Sequence, residues 1–320
     1  MILSLSAYSQ DPQFSQFYAS SLYLNPAFTG NTEAGRFSGI YRDQWAAIPG
    51  AFVSSSFAYD HNLSDYNSGI GLIVTSDKSG TGGLKFTNIG GLYSYAFKIN
   101  RKLFFRTGIK FSYTFRGIDK SRLVFADQII RNGAPQSVES FSDDDNSYFD
   151  AGTGALLYTD KYWIGVSLDH ITQPNQSFFG IGTEARLPIK SSIHGGYNFM
   201  YHETVKGDYE SSITAAFNFK HQLKWNQLDI GAYYNKHAFV IGLWYRGIPF
   251  IKTSSISSND AIVFLVGVQT NGIKIGYSYD VTVSKLAGNT GGSHELSLIY
   301  EYPYKKKRRK NRHAVPCAKF

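Results

Sequence analysis

From Lys102 to Arg116 the chain alternates with a period of two. Leu103, Phe105, Thr107, Ile109, Phe111, Tyr113 and Phe115 occupy one set of positions; Lys102, Arg106, Lys110, Ser112, Thr114 and Arg116 fall in the other. Successive side chains of a β-strand point to opposite faces, so this strand has one apolar face and one that carries spaced charges. A soluble barrel turns such an apolar face inward. A membrane barrel turns it outward to lipid and keeps its charges in a wet interior.

Composition decides between them. Of 320 residues, 16% are aromatic, with 23 Tyr, 24 Phe and 31 Gly but only 9 Pro. No stretch approaches the roughly 18 consecutive apolar residues of a membrane helix, so a spanning structure must be a closed sheet, in which every backbone group is paired. From residue 36 onward, alternating runs separated by turn residues predict fourteen strands at 36–42, 51–60, 68–76, 85–99, 102–116, 148–158, 162–169, 189–202, 209–220, 227–234, 238–246, 261–269, 273–283 and 294–302. An even count suits a bacterial single-chain barrel. The links also sort by length. Those after even-numbered strands (61–67, 100–101, 159–161, 203–208, 235–237, 271–272) are tight. Those after odd-numbered strands (43–50, 77–84, 117–147, 171–188, 247–260, 284–293) are longer, with 221–226 the shortest of that set. Short periplasmic turns and long external loops are the outer-membrane pattern. The fold expected is therefore all-β, a transmembrane antiparallel outer-membrane β-barrel of about 14 strands with both termini in the periplasm.

The faces agree with this assignment. Ile273, Ile275, Tyr277, Tyr279, Val281, Leu296, Leu298, Tyr300 and Tyr302 share one face, whereas Lys274, Ser278, Asp280, Glu295, Ser297 and Glu301 share the other. Tyr and Phe gather toward strand ends, as interfacial girdles require. The polar face mixes Arg36, Arg42, Lys98, Arg106, Lys110 and Lys190 with Asp150, Asp169, Glu210, Asp229 and Glu295. Interleaved charges of both signs suit an internal ion-pair network better than a selective pore.

Outside the strands the chain divides into a residual signal peptide over 1–9, an N-terminal periplasmic or plug segment over 10–35, the barrel over 36–302 and a basic tail over 303–320. Ala7-Tyr8-Ser9 suits a signal-peptidase site, although no basic region precedes it, and a disordered N-terminus is the other reading. Phe14, Phe17, Tyr18 and Ser21 fall at helical spacing, and Asn25-Pro26 and Gly30 stop any helix, so a short helix or turn is expected before the first strand, plugging the lumen or closing its periplasmic end. The net charge is +8, and the tail from Lys305 onward holds eight Lys/Arg and no acid, so the body is formally neutral. A neutral body excludes a nucleic-acid surface spread over the fold.

Candidate sites are few. Asp143, Asp144 and Asp145 sit in the longest link, where they could bind calcium or form a solvated acidic tip; the Gly and terminal Glu of an EF-hand are missing. His170, His194, His202 and His294 lack paired metal-ligand spacing on one strand. No nucleophile elbow or phosphate-cradling loop occurs, so no catalytic residue, metal or cofactor is assigned and the chain is expected to be non-enzymatic. Lys305, Lys306, Lys307, Arg308 and Arg309 open a basic run that, after a last strand ending in the periplasm, suits outer-membrane lipid headgroups, an acidic periplasmic partner or a solvated gatekeeper tail, and not nucleic acid. The single cysteine, Cys317, cannot form an internal disulfide, and with the terminal Phe320 it belongs to a compact end that a partner could grip.

Several motifs together carry a family resemblance. Asp11-Pro12-Gln13-Phe14-Ser15-Gln16-Phe17-Tyr18, then Leu24-Asn25-Pro26-Ala27-Phe28-Thr29-Gly30, then Tyr41-Arg42-Asp43-Gln44-Trp45 with Pro49-Gly50, and the end Pro316-Cys317-Ala318-Lys319-Phe320 resemble the PorP/SprF family of the type IX secretion system of Bacteroidetes. The resemblance implies a non-enzymatic outer-membrane barrel that secretes or anchors surface adhesins, including gliding adhesins, by binding their C-terminal sorting domain, in company with periplasmic secretion and gliding components. Under that reading the links 117–147, 171–188 and 247–260 form an external cap. Asp143, Asp144, Asp145, Phe178 and Phe179 are its expected contacts, and Lys305–Arg309, Cys317 and Phe320 are those of the periplasmic side. A passive diffusion porin or other outer-membrane channel is the alternative. A barrel enzyme would need a triad that the sequence does not assemble.

Overall fold

The computed structural model describes residues 11–50, 52–80, 83–119, 123–124, 126–131, 145–178, 185–203, 209–223, 225–248, 259–283 and 290–302. Fourteen antiparallel strands close into one barrel, each paired with its neighbours in sequence and the first with the last. They are β1 (Gly35–Gln44), β2 (Phe52–Leu63), β3 (Ser68–Ser79), β4 (Leu84–Lys98), β5 (Phe104–Gly117), β6 (Asp145–Tyr158), β7 (Tyr162–Asp169), β8 (Lys190–Glu203), β9 (Tyr209–Gln222), β10 (Trp225–Lys236), β11 (Phe239–Gly247), β12 (Asn259–Thr270), β13 (Ile273–Thr282) and β14 (Ser293–Tyr302). Closure is direct, with Gly35 opposite Tyr302 and Gln44 opposite Ser293. The mouth where β1 begins and β14 ends is here called lower, the other upper.

Burial shows which face meets lipid. In β5, Ile109, Phe111, Tyr113 and Phe115 are 42–53% exposed, whereas Arg106, Ser112, Thr114 and Arg116 are at most 9% exposed. A water-soluble protein would reverse this. The same inversion runs around the wall, from Ile70 and Leu72 to Leu296, Leu298 and Tyr300 outside, with Ser94, Asp169, Asp280 and Glu295 inside. Aromatic pairs band the outer face near both rims, such as Tyr95–Phe97 at 4.7 Å below and Tyr113–Phe115 at 5.0 Å above. Rings at that depth straddle apolar chains and headgroups. Lys98 ends β4 and is exposed at the lower rim; it does not join the interior charges.

Two upper links are shorter than the sequence suggests. β3 and β4 stay paired out to Ser79 and Leu84, leaving only residues 80–83 between them, and β9 and β10 pair out to Gln222 and Trp225, leaving 223–224. The sequence reading places 77–84 in a link, yet Asp77, Lys78 and Ser79 continue β3 and Leu84 opens β4, because each has a partner across the ladder. The strand ends that bound 118–144, 170–189 and 248–258 are at the upper mouth, and those that bound the short stretches 64–67, 99–103, 159–161, 204–208, 237–238 and 271–272 are at the lower.

The hydrophobic core lies inside the barrel, around residues 11–34. Phe14, Phe17, Tyr18, Leu24, Ala27 and Phe28 are buried against Leu156, Tyr158, Trp163, Tyr233, Trp244 and Leu265 of the wall. The segment forms a turn over 17–20, a single α-helical turn α1 (Ser21–Leu24) and a 3-10 turn (Pro26–Phe28). So little regular structure stands only because the wall supplies its partners. The apolar residues at helical spacing mark sides of a plug that contacts wall all round.

Replacing Phe111, in the middle of β5 on the lipid face, by Arg should cost about 2–4 kcal/mol of stability, and the same change at Phe115, near the rim, about 0–1 kcal/mol. Urea unfolding in lipid vesicles reads both values; equal costs would contradict the lipid-facing assignment.

Candidate functional site: the plug and the upper mouth

The plug runs from mouth to mouth. Asp11 lies at the upper one, where its carboxylate binds His170 Nε2 (2.9 Å) and Lys190 Nζ (2.6 Å). Thr32 lies at the lower one, where its carbonyl accepts from Asn62 Nδ2 (2.8 Å). Asp11 and Tyr302 are thus at opposite mouths; the chain ends beyond them, expected on one side of the membrane, lie outside the described residues. Parity of the strands places only the ends of the barrel; the plug then carries the chain through the lumen.

Three sets of contacts hold the plug. Near the top, the backbone amides of Ser15 and Gln16 each donate to one oxygen of Glu295, both at 2.7 Å. The Ser15 hydroxyl donates to Asp280 (2.6 Å) and accepts from Arg42 (2.6 Å) and Arg246 (2.8 Å). Arg42 bridges Asp280 and Glu295 at 2.8 and 3.1 Å, and Arg246 bridges Asp229 and Asp280, both at 3.0 Å. These charges are all but fully buried. Buried charges persist when each is paired and its remaining lone pairs and protons are met. Here the plug's own amides and hydroxyl add partners to the set, while Arg42 Nε and Asp280 Oδ1 make no hydrogen bond among the described residues.

Midway, Asn25 acts as a linchpin. Its Nδ2 donates to the carbonyls of Val166 (2.9 Å) and Ala155 (3.3 Å), and its Oδ1 accepts from Ala27 N (2.8 Å), capping the 3-10 turn. Closeness depends on glycine. A Cβ at Gly154 would overlap the Asn25 side chain, and one at Gly108 the backbone of Pro26 and Ala27. Below, the Thr29 carbonyl accepts from Ser94 Oγ (2.6 Å) and Arg106 (3.2 Å), and Gly30 N donates to Asp60 (2.8 Å), itself paired with Arg36 at 2.9 Å. Gly30 has φ +70°, a left-handed turn that redirects the chain toward β1.

The upper mouth has a second charged cluster. His170, just past β7, is held at both nitrogens, by Asp150 (2.6 Å) and Asp11 (2.9 Å). Lys110 pairs with Asp169, which also lies 3.6 Å from Lys190. Burial opposes both ionised forms, yet the two carboxylates push the imidazole up to about 9, and His170 and Lys190 hold Asp11 well below the usual carboxylate range. Asp11 therefore carries a full negative charge facing an imidazolium.

The sequence-derived contacts divide between described and undescribed residues. Asp145 opens β6, exposed at the upper rim. Phe178 lies under the Arg116 guanidinium at 5.4 Å, in a strap pinned by Asn146 Nδ2 to the Ser177 carbonyl (2.6 Å) and by Arg116 to Gln176. Both residues are thus at the upper mouth. Asp143, Asp144, Phe179, Lys305, Lys306, Lys307, Arg308, Arg309, Cys317 and Phe320 lie outside the described residues, as does the side chain of Glu210. The residues that sequence reasoning did not single out as a site are Ser15, Gln16, Asn25, Asp11, His170 and Arg246. The first four belong to the N-terminal motifs, and Arg246 is a lone charge on the inward face of an otherwise apolar strand.

A closed, even-stranded barrel, apolar outside and charged within, is an outer-membrane barrel, and this one has its lumen occupied by its own N-terminal segment. The chain belongs to the PorP/SprF family, described as type IX secretion system membrane proteins, whose model matches residues 6–300. No curated protein sequence matches it. Among solved structures it is similar to the toluene transporter TodX of P. putida (11% identity, 88% of this chain and 93% of that one, TM-score 0.49). It is also similar to a FadL homologue of Pseudomonas aeruginosa (13% identity, 88% and 94%, TM-score 0.49) and to the outer membrane protein Omp33 of Acinetobacter baumannii (6% identity, 86% and 100%, TM-score 0.43).

Removing Arg42 as Arg42→Met should leave Asp280 and Glu295 underpaired and loosen the plug by about 3–5 kcal/mol. Added protease should then cut within 11–34 while the barrel keeps its heat-modifiable migration; an uncut plug would refute the clasp. The His170–Asp11 contact adds a pH dependence. A raised imidazole stabilises the folded form fully below its ordinary 6.5 and loses that contribution as pH climbs through about 9. A depressed carboxylate contributes above its ordinary 3.8 and loses it on acidification. A nitroxide at Gln13→Cys, in a Cys317→Ser background, should gain mobility between pH 7 and 10, and much less so with His170→Gln.

Proposed function

We propose that this barrel holds secreted adhesins at the cell surface by docking their C-terminal sorting domain on the upper mouth. The observation that carries the reading is the occupied lumen. A plug fastened at three levels occupies the lumen along residues 11–34, which supports a role in which the molecule offers a partner a surface at each mouth. The long links 118–144, 170–189 and 248–258 all rise from the upper one. In outer-membrane barrels the long loops face outward, which supports an upper mouth outside the cell and a Tyr302 end in the periplasm. Asp145, Phe178 and the neighbouring Asp143, Asp144 and Phe179 are the proposed contacts with the sorting domain.

The tail after Tyr302 then emerges on the periplasmic side, and Lys305–Arg309 with Cys317 and Phe320 are the proposed contacts with periplasmic secretion and gliding components or with lipid headgroups. Its eight cations without an acid favour an acidic partner surface. Membership of a secretion-system barrel family is the ground for a non-enzymatic role.

One experiment tests both faces. Tagged intact protein, a variant lacking 118–144 and a chain ending at Tyr302 are recovered from native outer membrane in mild detergent, and their companions are identified by mass spectrometry. Loop deletion should lose the adhesin to the medium and keep the periplasmic companions; tail truncation should do the reverse. Adhesin retained on cells bearing the loop deletion would sink the upper-mouth reading. Recovery of a bare, conducting barrel in every case would favour a channel.

A further inference from the structure

The plug does not fill the upper mouth. Between it and the arc of wall made by β8, β9 and β10 lies a small recess that opens to solvent. It adjoins 223–224, the shortest link on that rim. Its lining joins the rings of Phe14, Phe17, Tyr23 and Trp225 to the ammonium groups of Lys190 and Lys220.

The two lysines differ in what already occupies them. Lys190 pairs with Asp11 at 2.6 Å and Asp169 at 3.6 Å and lies over the Tyr23 ring at 5.1 Å. Lys220, whose side chain is 14% exposed, has among the described residues one ion pair, with Asp229 at 3.4 Å. The other oxygen of Asp229 is taken by Arg246 (3.0 Å) and Gln227 (2.8 Å). An ammonium has three donors, and a largely buried one with a single long contact is poorly compensated. The Ser20 hydroxyl, also lining the recess, is 6% exposed and has no hydrogen-bond partner among the described residues. Lys220 thus has donors to spare and the Ser20 hydroxyl has no partner among the described residues, and the walls around them are aromatic.

We infer that the recess is a binding site for a carboxylate carried on an apolar body, the carboxylate set on Lys220 with Ser20 near it and the body lodged among the four rings. A single underused cation matches a monoanion. Phosphate would draw on guanidinium forks, and those of Arg42 and Arg246 are spent on Asp280, Glu295 and Asp229. Such a ligand is either the free end of a polypeptide or a fatty acid. The inference is independent of sorting-domain docking, because the recess lies within the mouth between plug and wall.

The test uses the full chain in nanodiscs. Decanoate, an acetylated tripeptide Ala-Ala-Phe with a free carboxylate and its carboxamide are titrated by calorimetry, with tryptophan fluorescence as a second reading. At least one carboxylate should bind, and Lys220→Gln should weaken it about tenfold or more, the worth of one charge-assisted hydrogen bond. Lys220→Arg should retain most of the affinity, which separates loss of charge from loss of fold. Tightest binding by the peptide, with the carboxamide at least as weak as the Lys220→Gln complex, assigns a polypeptide end; binding by decanoate alone assigns a lipid source. Absence of binding by either, or binding indifferent to Lys220, overturns the inference.

Discussion

Everything in this barrel depends on the pairing of Glu295 and Asp280 with the guanidiniums of Arg42 and Arg246 around Ser15 and Gln16. Lipid takes the apolar face of each strand, so the interior receives the polar side chains whether or not water can reach them. Fourteen strands enclose more space than such side chains fill. The N-terminal segment occupies that space, and its amides and Ser15 hydroxyl supply donors that the wall carboxylates would otherwise take from water. Plug and wall are one polar network. Removing a member leaves a charge stranded in low dielectric, which costs more than the original contact contributed.

That network makes the two mouths unequal. Below, Gly30, Asp60, Arg36 and Arg106 turn the chain tightly into β1, and the short links leave little projecting. Above, the Asp11–His170–Asp150 contact ties the start of the plug to the base of the 170–189 link, so an event at that link bears directly on the plug. The strap over Arg116 and Asn146 lies beside it. The proposed partner contacts, the start of the plug and the Lys220 recess are therefore adjacent at one rim.

Much of the fold was legible in residue order because its cause is local. Alternation in 102–116 and 273–302 exposes the period of two, and lipid on one side makes the contrast between faces sharp. Of the charges named from the sequence as inward, Arg36, Arg42, Arg106, Lys110 and Glu295 are inward and Lys98 is not. What was misplaced follows from non-local pairing. Asp77 and Lys78, expected in a link, belong to β3 because each has a partner across the ladder, which no single window reveals. The upper-mouth position of Asp11 was not legible in the sequence, because strand parity says nothing of a segment that crosses the lumen before β1.

The sequence by itself determined that the chain must close a barrel with lipid outside, since alternation, aromatic content and the absence of a long apolar run leave no other way to satisfy a buried backbone. It also marked Asp11–Tyr18 and Leu24–Gly30 as motifs, without saying what they touch. Only the tertiary structure decided that those motifs are fasteners, that Ser15 meets residues some 230 to 280 positions away and Asn25 the wall at Ala155 and Val166, and that Lys220 faces a recess with too few partners. The reason is physical. A strand's two faces are set by the order of neighbouring residues, whereas the partners of a buried charge are set by which distant residues closure of the sheet brings across the lumen.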